Sequence, residues 1–113
     1  MHIIKKSLTN NLTPMPSTTI REYLMEEESI SGAVSEINGR YPEKGFAVNE
    51  LSKELVYITK GKGKIITKDK EKEFDQGDVI FIDRGEPFAW KGTFTMFMTT
   101  TPKFDPRQHK IIN

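Results

Sequence analysis

The side chains able to do chemistry in this chain are few, and several kinds are missing. There is no cysteine, which excludes disulfides, thiolate nucleophiles and thiolate metal centres. His2 and His109 are the only histidines, both in terminal segments, so a three-histidine metal centre is impossible within one chain. The single tryptophan, Trp90, suits either a core or the mouth of a pocket, where an indole stacks on a sugar or base. Tyr41, in Gly-Arg-Tyr-Pro, either closes a turn or binds a substrate. Lys60, Lys62, Lys64, Lys68, Lys70 and Lys72 make a basic hairpin, but the glutamates and aspartates among them mark a solvated face rather than a nucleic-acid surface. Gly61-x-Gly63 reads as a strand turn and lacks the following helix of a dinucleotide site.

Trp90, the lysines and Gly61-x-Gly63 lie in one organised stretch, residues 54–90. It holds four apolar runs of strand length, 55–58, 64–67, 78–82 and 87–90. Between them fall turn signals: Gly61 and Gly63, residues 68–70, Gln76-Gly77-Asp78 and the bend 83–87. Short β-rich runs punctuated this way predict an antiparallel sandwich or barrel.

The same stretch resembles the cupin family. Glu54 followed by Gly61 is similar to the end of the first cupin motif, and Gly77-Asp78, Ile82, Gly85 and Phe88 to the second. The 15 residues between Gly61 and Gly77 suit the linking hairpin of a small single-domain cupin. The resemblance covers roughly residues 38–101 and implies an all-β fold: a single cupin-type β-barrel, or jelly roll, of two packed antiparallel sheets.

Cupins usually hold a divalent metal with two closely spaced histidines, a glutamate and a later histidine. By that resemblance Glu54 keeps the glutamate. The paired histidine positions fall on Val48 and Glu50, or on Ala47 and Asn49, and the last falls on Phe88. One ligand of four remains, so neither metal nor other cofactor is expected. Strand alternation then points Glu54, Val56 and Ile58 inward with Phe88 and Trp90, while Leu55 and Tyr57 face out. The expected lumen is partly apolar, with Glu54 and one of Asn49 or Glu50 as its polar groups. A carboxylate there must be hydrogen-bonded, paired with a cation such as Arg40 or Lys91, or protonated. A raised pKa makes Glu54 a general acid or base; the alternative is a structural remnant bonded to a neighbouring strand. Glu54 is thus the candidate catalytic residue, and Asn49, Glu50, Tyr41, Phe88 and Trp90 are candidate ligand-binding residues. The function expected is metal-independent binding of a small molecule, a sugar or other small polar metabolite, in the lumen. The alternatives are a metal-free sugar isomerase or epimerase using Glu54, and an interaction module whose barrel is filled.

The flanking segments read as an N-terminal arm over 1–16, the barrel over 17–101 and an irregular tail over 102–113. Residues 18–25 and 30–37 are expected strands, Asn38-Gly39 a turn, Lys91-Gly92 another, and 93–101 a strand with Phe94, Met96 and Met98 on one face. Little helix is expected. His109 reads as a surface or interface residue. A net charge of +1 gives no field toward nucleic acid or an anionic membrane. No run is long enough for a membrane span, and residues 1–16 lack a signal-peptide core, so a cytoplasmic protein is expected. Open sheet edges and the apolar pair Ile3-Ile4 predict a homodimer.

Overall fold

Two long antiparallel strands, β5 (Lys53–Ile66) and β8 (Ala89–Thr101), form the spine of the barrel in the computed structural model, which describes residues 1–113. On one side of β8 lie, in order, β3 (Ser31–Tyr41), β2 (Thr18–Tyr23) and the edge strand β1 (Asn10–Met15). The far edge of β5 is shared: β7 (Val79–Ile82) pairs with Glu54–Tyr57 and β6 (Glu71–Asp75) with Lys62–Ile66. A second, two-stranded sheet joins β4 (Phe46–Asn49) to β9 (His109–Ile112). It is tied to the main sheet where Ala47 and Phe88 exchange backbone hydrogen bonds of 2.8 and 2.9 Å. All strand pairs are antiparallel, as expected, and the only helical pieces are 3₁₀ turns at Lys6–Leu8 and Pro106–Gln108. No helix is long and apolar enough to cross a membrane.

Three expected turns are absent. Asn38-Gly39 lies inside β3, Lys91-Gly92 inside β8, and Gly61 and Gly63 inside β5, which continues through two of the apolar runs with one bulge between Ile58 and Lys60. The reason is a row of glycines across three strands: Gly39 pairs with Gly92, and Gly92 with Gly63. Gly39 and Gly92 have φ of 130° and 143°, which lets the strands bend sharply without ending. The row lies on the inner face, and the missing side chains leave room for rings. A Cβ on Gly63 would stand 3.0 Å from the Phe94 ring and 3.1 Å from that of Phe74. The terminal segments are also more regular than expected. Residues 10–15 extend the sheet as β1, and the tail returns as β9.

Strand alternation sorts the side chains as expected. Val56, Ile58, Trp90, Phe94 and Met96 are buried; Leu55, Tyr57 and Phe97 face outward. One end of the lumen is filled with aromatic rings. Phe74 meets Phe94 edge-on at 4.8 Å and Trp90 at 5.7 Å, and Phe88 meets Trp90 at 6.0 Å. Such contacts contribute about 0.5–1.5 kcal/mol each beyond the area they bury. The polar groups collect elsewhere in the barrel, where β4, β9 and the start of β5 converge.

Candidate functional site

Glu54 stands one residue into β5, opposite Ile82 on one side and Thr100 on the other. Its parity places it inside the barrel, where it is 6% exposed. Oε1 accepts a hydrogen bond from Asn49 Nδ2 at 3.3 Å. Oε2 has no protein partner, yet it is not among the side-chain polar atoms sealed from solvent without one, so it faces accessible space. No cation approaches. Arg40 donates to the Pro42 carbonyl and lies over the Phe46 ring, Lys91 is exposed, and the three ion pairs of the molecule are at the surface. Burial therefore acts almost unopposed: it pushes the Glu54 carboxyl up to about 7, against the lowering effect of the Asn49 hydrogen bond.

Of the two alternatives on β4, Asn49 points inward, 1% exposed, and Glu50 points out to solvent. The register of β4 against β9 sets Asn49 directly opposite His109. The imidazole Nδ1 lies 2.7 Å from Asn49 Oδ1, and its Nε2 lies 2.7 Å from the Tyr41 hydroxyl. Tyr41 ends β3, stacks on the imidazole at 6.1 Å between centroids, and faces inward in the same cross-strand row as Trp90 and Ile65. The result is one hydrogen-bonded chain: Glu54, Asn49, His109, Tyr41. Burial lowers the pKa of His109; burial, then the nearby Glu54 charge, raises that of Tyr41.

The chain corrects the expectation that His109 is a surface or interface residue: the ring is half-buried and part of the site. A second unanticipated residue is Gln108, buried at 4% exposure, whose Oε1 accepts from the backbone N–H groups of Leu51 and Ser52. It fastens the tail to the loop before β5 and so holds β9 in place. Among the other candidates, Phe88 closes the apolar side of the lumen next to Ala47, and Trp90 is 2% exposed within the ring cluster rather than at an open mouth. A groove of about 420 Å³ lies on the sheet face that carries Thr19, Glu36, Asn38 and Thr95, and none of the four chain residues lines it. Its polar groups bond one another, Thr19 to Glu36 and Thr93 to Asn38.

The donor set does not fit a metal. No three His, Cys, Asp or Glu side chains converge anywhere in the chain, and both imidazole nitrogens of His109 are engaged by Asn49 and Tyr41.

No protein-family model matches the sequence, and no curated protein matches it. Solved structures do. Pac13, a nucleoside dehydratase from Streptomyces, superposes with a TM-score of 0.89 at 12% identity, covering 100% of this chain and 92% of that one. An RmlC-like cupin from Shewanella frigidimarina superposes with a TM-score of 0.76 at 10% identity, covering 95% and 96%. This chain has the cupin fold. The polyketide cyclase RemF from Streptomyces resistomycificus also shares it, with a TM-score of 0.76 at 18% identity over 100% of this chain and 86% of that one. At these identities the cupin likeness is one of fold, and cupin folds carry unlike activities.

Proposed function

We propose that this cupin takes a small, hydroxyl-bearing metabolite into the lumen beside Glu54 and transfers protons on it without a metal. The observation that carries this reading is the Glu54 carboxyl, buried, without a cation, and with one oxygen free toward accessible space. A group held near neutrality can both give and take a proton at physiological pH, which is what acid–base catalysis requires. Tyr41 and Asn49 supply the other polar contacts, and Phe88 and the ring cluster an apolar wall. Pac13 gives the first class to try, because it acts on a nucleoside and its variants are known with uridine. The test is a thermal-shift screen of nucleosides, sugars and sugar acids, followed by turnover assays on each hit. A hit whose stabilisation vanishes in Glu54→Gln supports the reading. Silence across the library favours a filled barrel that serves as an interaction module.

We also propose that the chain pairs with a second copy of itself. Leu55, Tyr57, Val79, Phe81 and Phe97 share the outer face of β5, β7 and β8, each between 39% and 59% exposed. They are neighbours by register, Leu55 with Phe81, and Tyr57 with Val79 and Phe97. Together they form one contiguous, partly exposed apolar face, the kind of patch found at the centre of an interface between two copies.

A further inference from the structure

The hydrogen bonds of the site have a direction, and it divides the labour between its two ends. Asn49 Nδ2 can only donate, and it does so to Glu54 Oε1. Asn49 Oδ1 can only accept, so the His109 nitrogen facing it, Nδ1, carries the proton. In a neutral imidazole Nε2 is then bare, and the Tyr41 hydroxyl facing it is the donor. Every member is satisfied in this one arrangement. The reverse requires an inverted amide at Asn49, a proton on Glu54 Oε1 and Nε2–H on His109.

We infer that Tyr41 is the base of this site, with His109 and Asn49 as its positioning residues, and that Glu54 Oε2 is the matching acid. This rests on the acid–base reading above and adds the partition of roles. A phenol whose proton already points at a bare imidazole nitrogen can take a proton from a substrate C–H or O–H as it passes its own to Nε2. The imidazolium that forms keeps its Nδ1–H on Asn49, the logic of a nucleophile, a histidine and an orienting amide seen in hydrolytic triads. The Tyr41 pKa, raised by burial and then by Glu54, means the phenol does not ionise alone and works only through His109. With Oε1 held by a donor, any proton on Glu54 sits on Oε2, the oxygen facing accessible space. The proton count closes. One proton leaves the substrate for Tyr41 while the Tyr41 proton moves to His109, and Glu54 Oε2 returns one proton to another atom of the same substrate. Water then carries a proton from His109 to Glu54. The net change is relocation of a proton, an isomerisation, or loss of water if the atom protonated is a departing hydroxyl. No oxidant or co-reactant is required.

Two measurements test this. The first uses the ¹⁵N-labelled full chain, with long-range ¹H–¹⁵N spectra of the imidazoles at pH 8 and His2→Gln for assignment. His109 is expected as the Nδ1–H tautomer with Nε2 unprotonated. Asn49→Leu, or Asn49→Ser should that variant fold poorly, is expected to release the tautomer toward Nε2–H. Nε2–H in the wild type, or a tautomer indifferent to Asn49, overturns the inference whatever the role of Glu54. The second incubates uridine and a panel of aldoses and ketoses with the protein in D₂O and follows deuterium entering C–H positions. Tyr41→Phe and His109→Gln are each expected to slow incorporation about a hundredfold or more, the usual range for a positioned base. Incorporation that persists in Tyr41→Phe overturns Tyr41 as the base while leaving Glu54 standing. No incorporation from any panel member by the wild type counts against the acid–base reading itself.

Discussion

Asn49 and His109 are direct register partners in the β4–β9 ladder, and their side chains meet at 2.7 Å inside the barrel. The contact brings residues sixty positions apart into one polar chain and makes the C-terminal strand part of the site. It also explains why Glu54 is buried without an ion pair: its partner is an amide already committed on its other side.

The protonation of Glu54 should be visible in stability. Unfolded, its carboxyl titrates near 4.5; folded, burial holds it at about 7. A raised carboxyl pKa means the native state prefers the neutral acid. The stability this group contributes is complete below about pH 4.5 and is lost as pH rises to about 7, by an amount of about 3 kcal/mol. Glu54→Gln resembles the neutral acid in shape and keeps an acceptor for Asn49. The variant should match the wild type at pH 4.5 and exceed it at pH 8. Urea melts of both proteins at the two pH values measure the difference, with all other titrating groups cancelling. A loss of about 3–5 kcal/mol at pH 8 would instead mean an ionised Glu54 paired with a buried cation, and would remove the acid–base proposal.

Metal content is a separate test. Protein purified without a histidine tag should carry far less than one equivalent of zinc, iron, nickel or manganese per chain, because a lone carboxylate beside an amide and a fully engaged imidazole is a poor ligand set. Elemental analysis decides it. Close to one equivalent of any of these metals would require the site to rearrange around it.

The inward placement of Glu54 was legible in the sequence because strand alternation has a period of two and the apolar partners Val56 and Ile58 mark the buried face. The choice between Asn49 and Glu50 was not, since it depends on how many residues the loop between β4 and β5 consumes. His109 was hidden for a different reason. Its place follows from the tail folding back onto β4 and being fastened by Gln108, a long-range event with no local signature. The glycines misled because a glycine serves a tight turn, a strand bend and a close backbone approach equally. Gly39, Gly63 and Gly92 announce themselves as bends only when seen side by side.

Association can be tested at Phe81, which is 55% exposed beside Leu55. Light scattering at micromolar concentration should give a mass near twice that of the chain. Phe81→Lys should shift it to that of one chain while changing monomer stability by less than about 1 kcal/mol, since it replaces an outward side chain. A wild-type mass of one chain defeats the proposal. A dimer indifferent to Phe81→Lys moves the interface elsewhere, with the β1 edge and the exposed Ile3 next to examine by deleting residues 1–8.

The glycine row makes the last prediction. A Cβ at Gly92 would sit 2.6 Å from Gly63 Cα and 2.7 Å from the Lys62 carbonyl oxygen, both backbone atoms that no rotamer change can move. Its φ of 143° is also unfavourable for any L side chain. Gly77 is the control: its φ is 92°, but nothing lies within 4 Å of its would-be Cβ. Gly77→Ala should therefore cost only the conformational penalty, about 1–2 kcal/mol. Gly92→Ala adds displacement of β5 from β8 and should exceed it by at least about 2 kcal/mol. Phe74 and Phe94 pack where this row leaves space, so the ring cluster should loosen with it, and Trp90 emission should shift to the red in Gly92→Ala but not in Gly77→Ala. Urea melts followed by Trp90 fluorescence read both quantities at once. Equal costs for the two variants would mean that the strands part easily at Gly92, and that close backbone approach is not what requires glycine there.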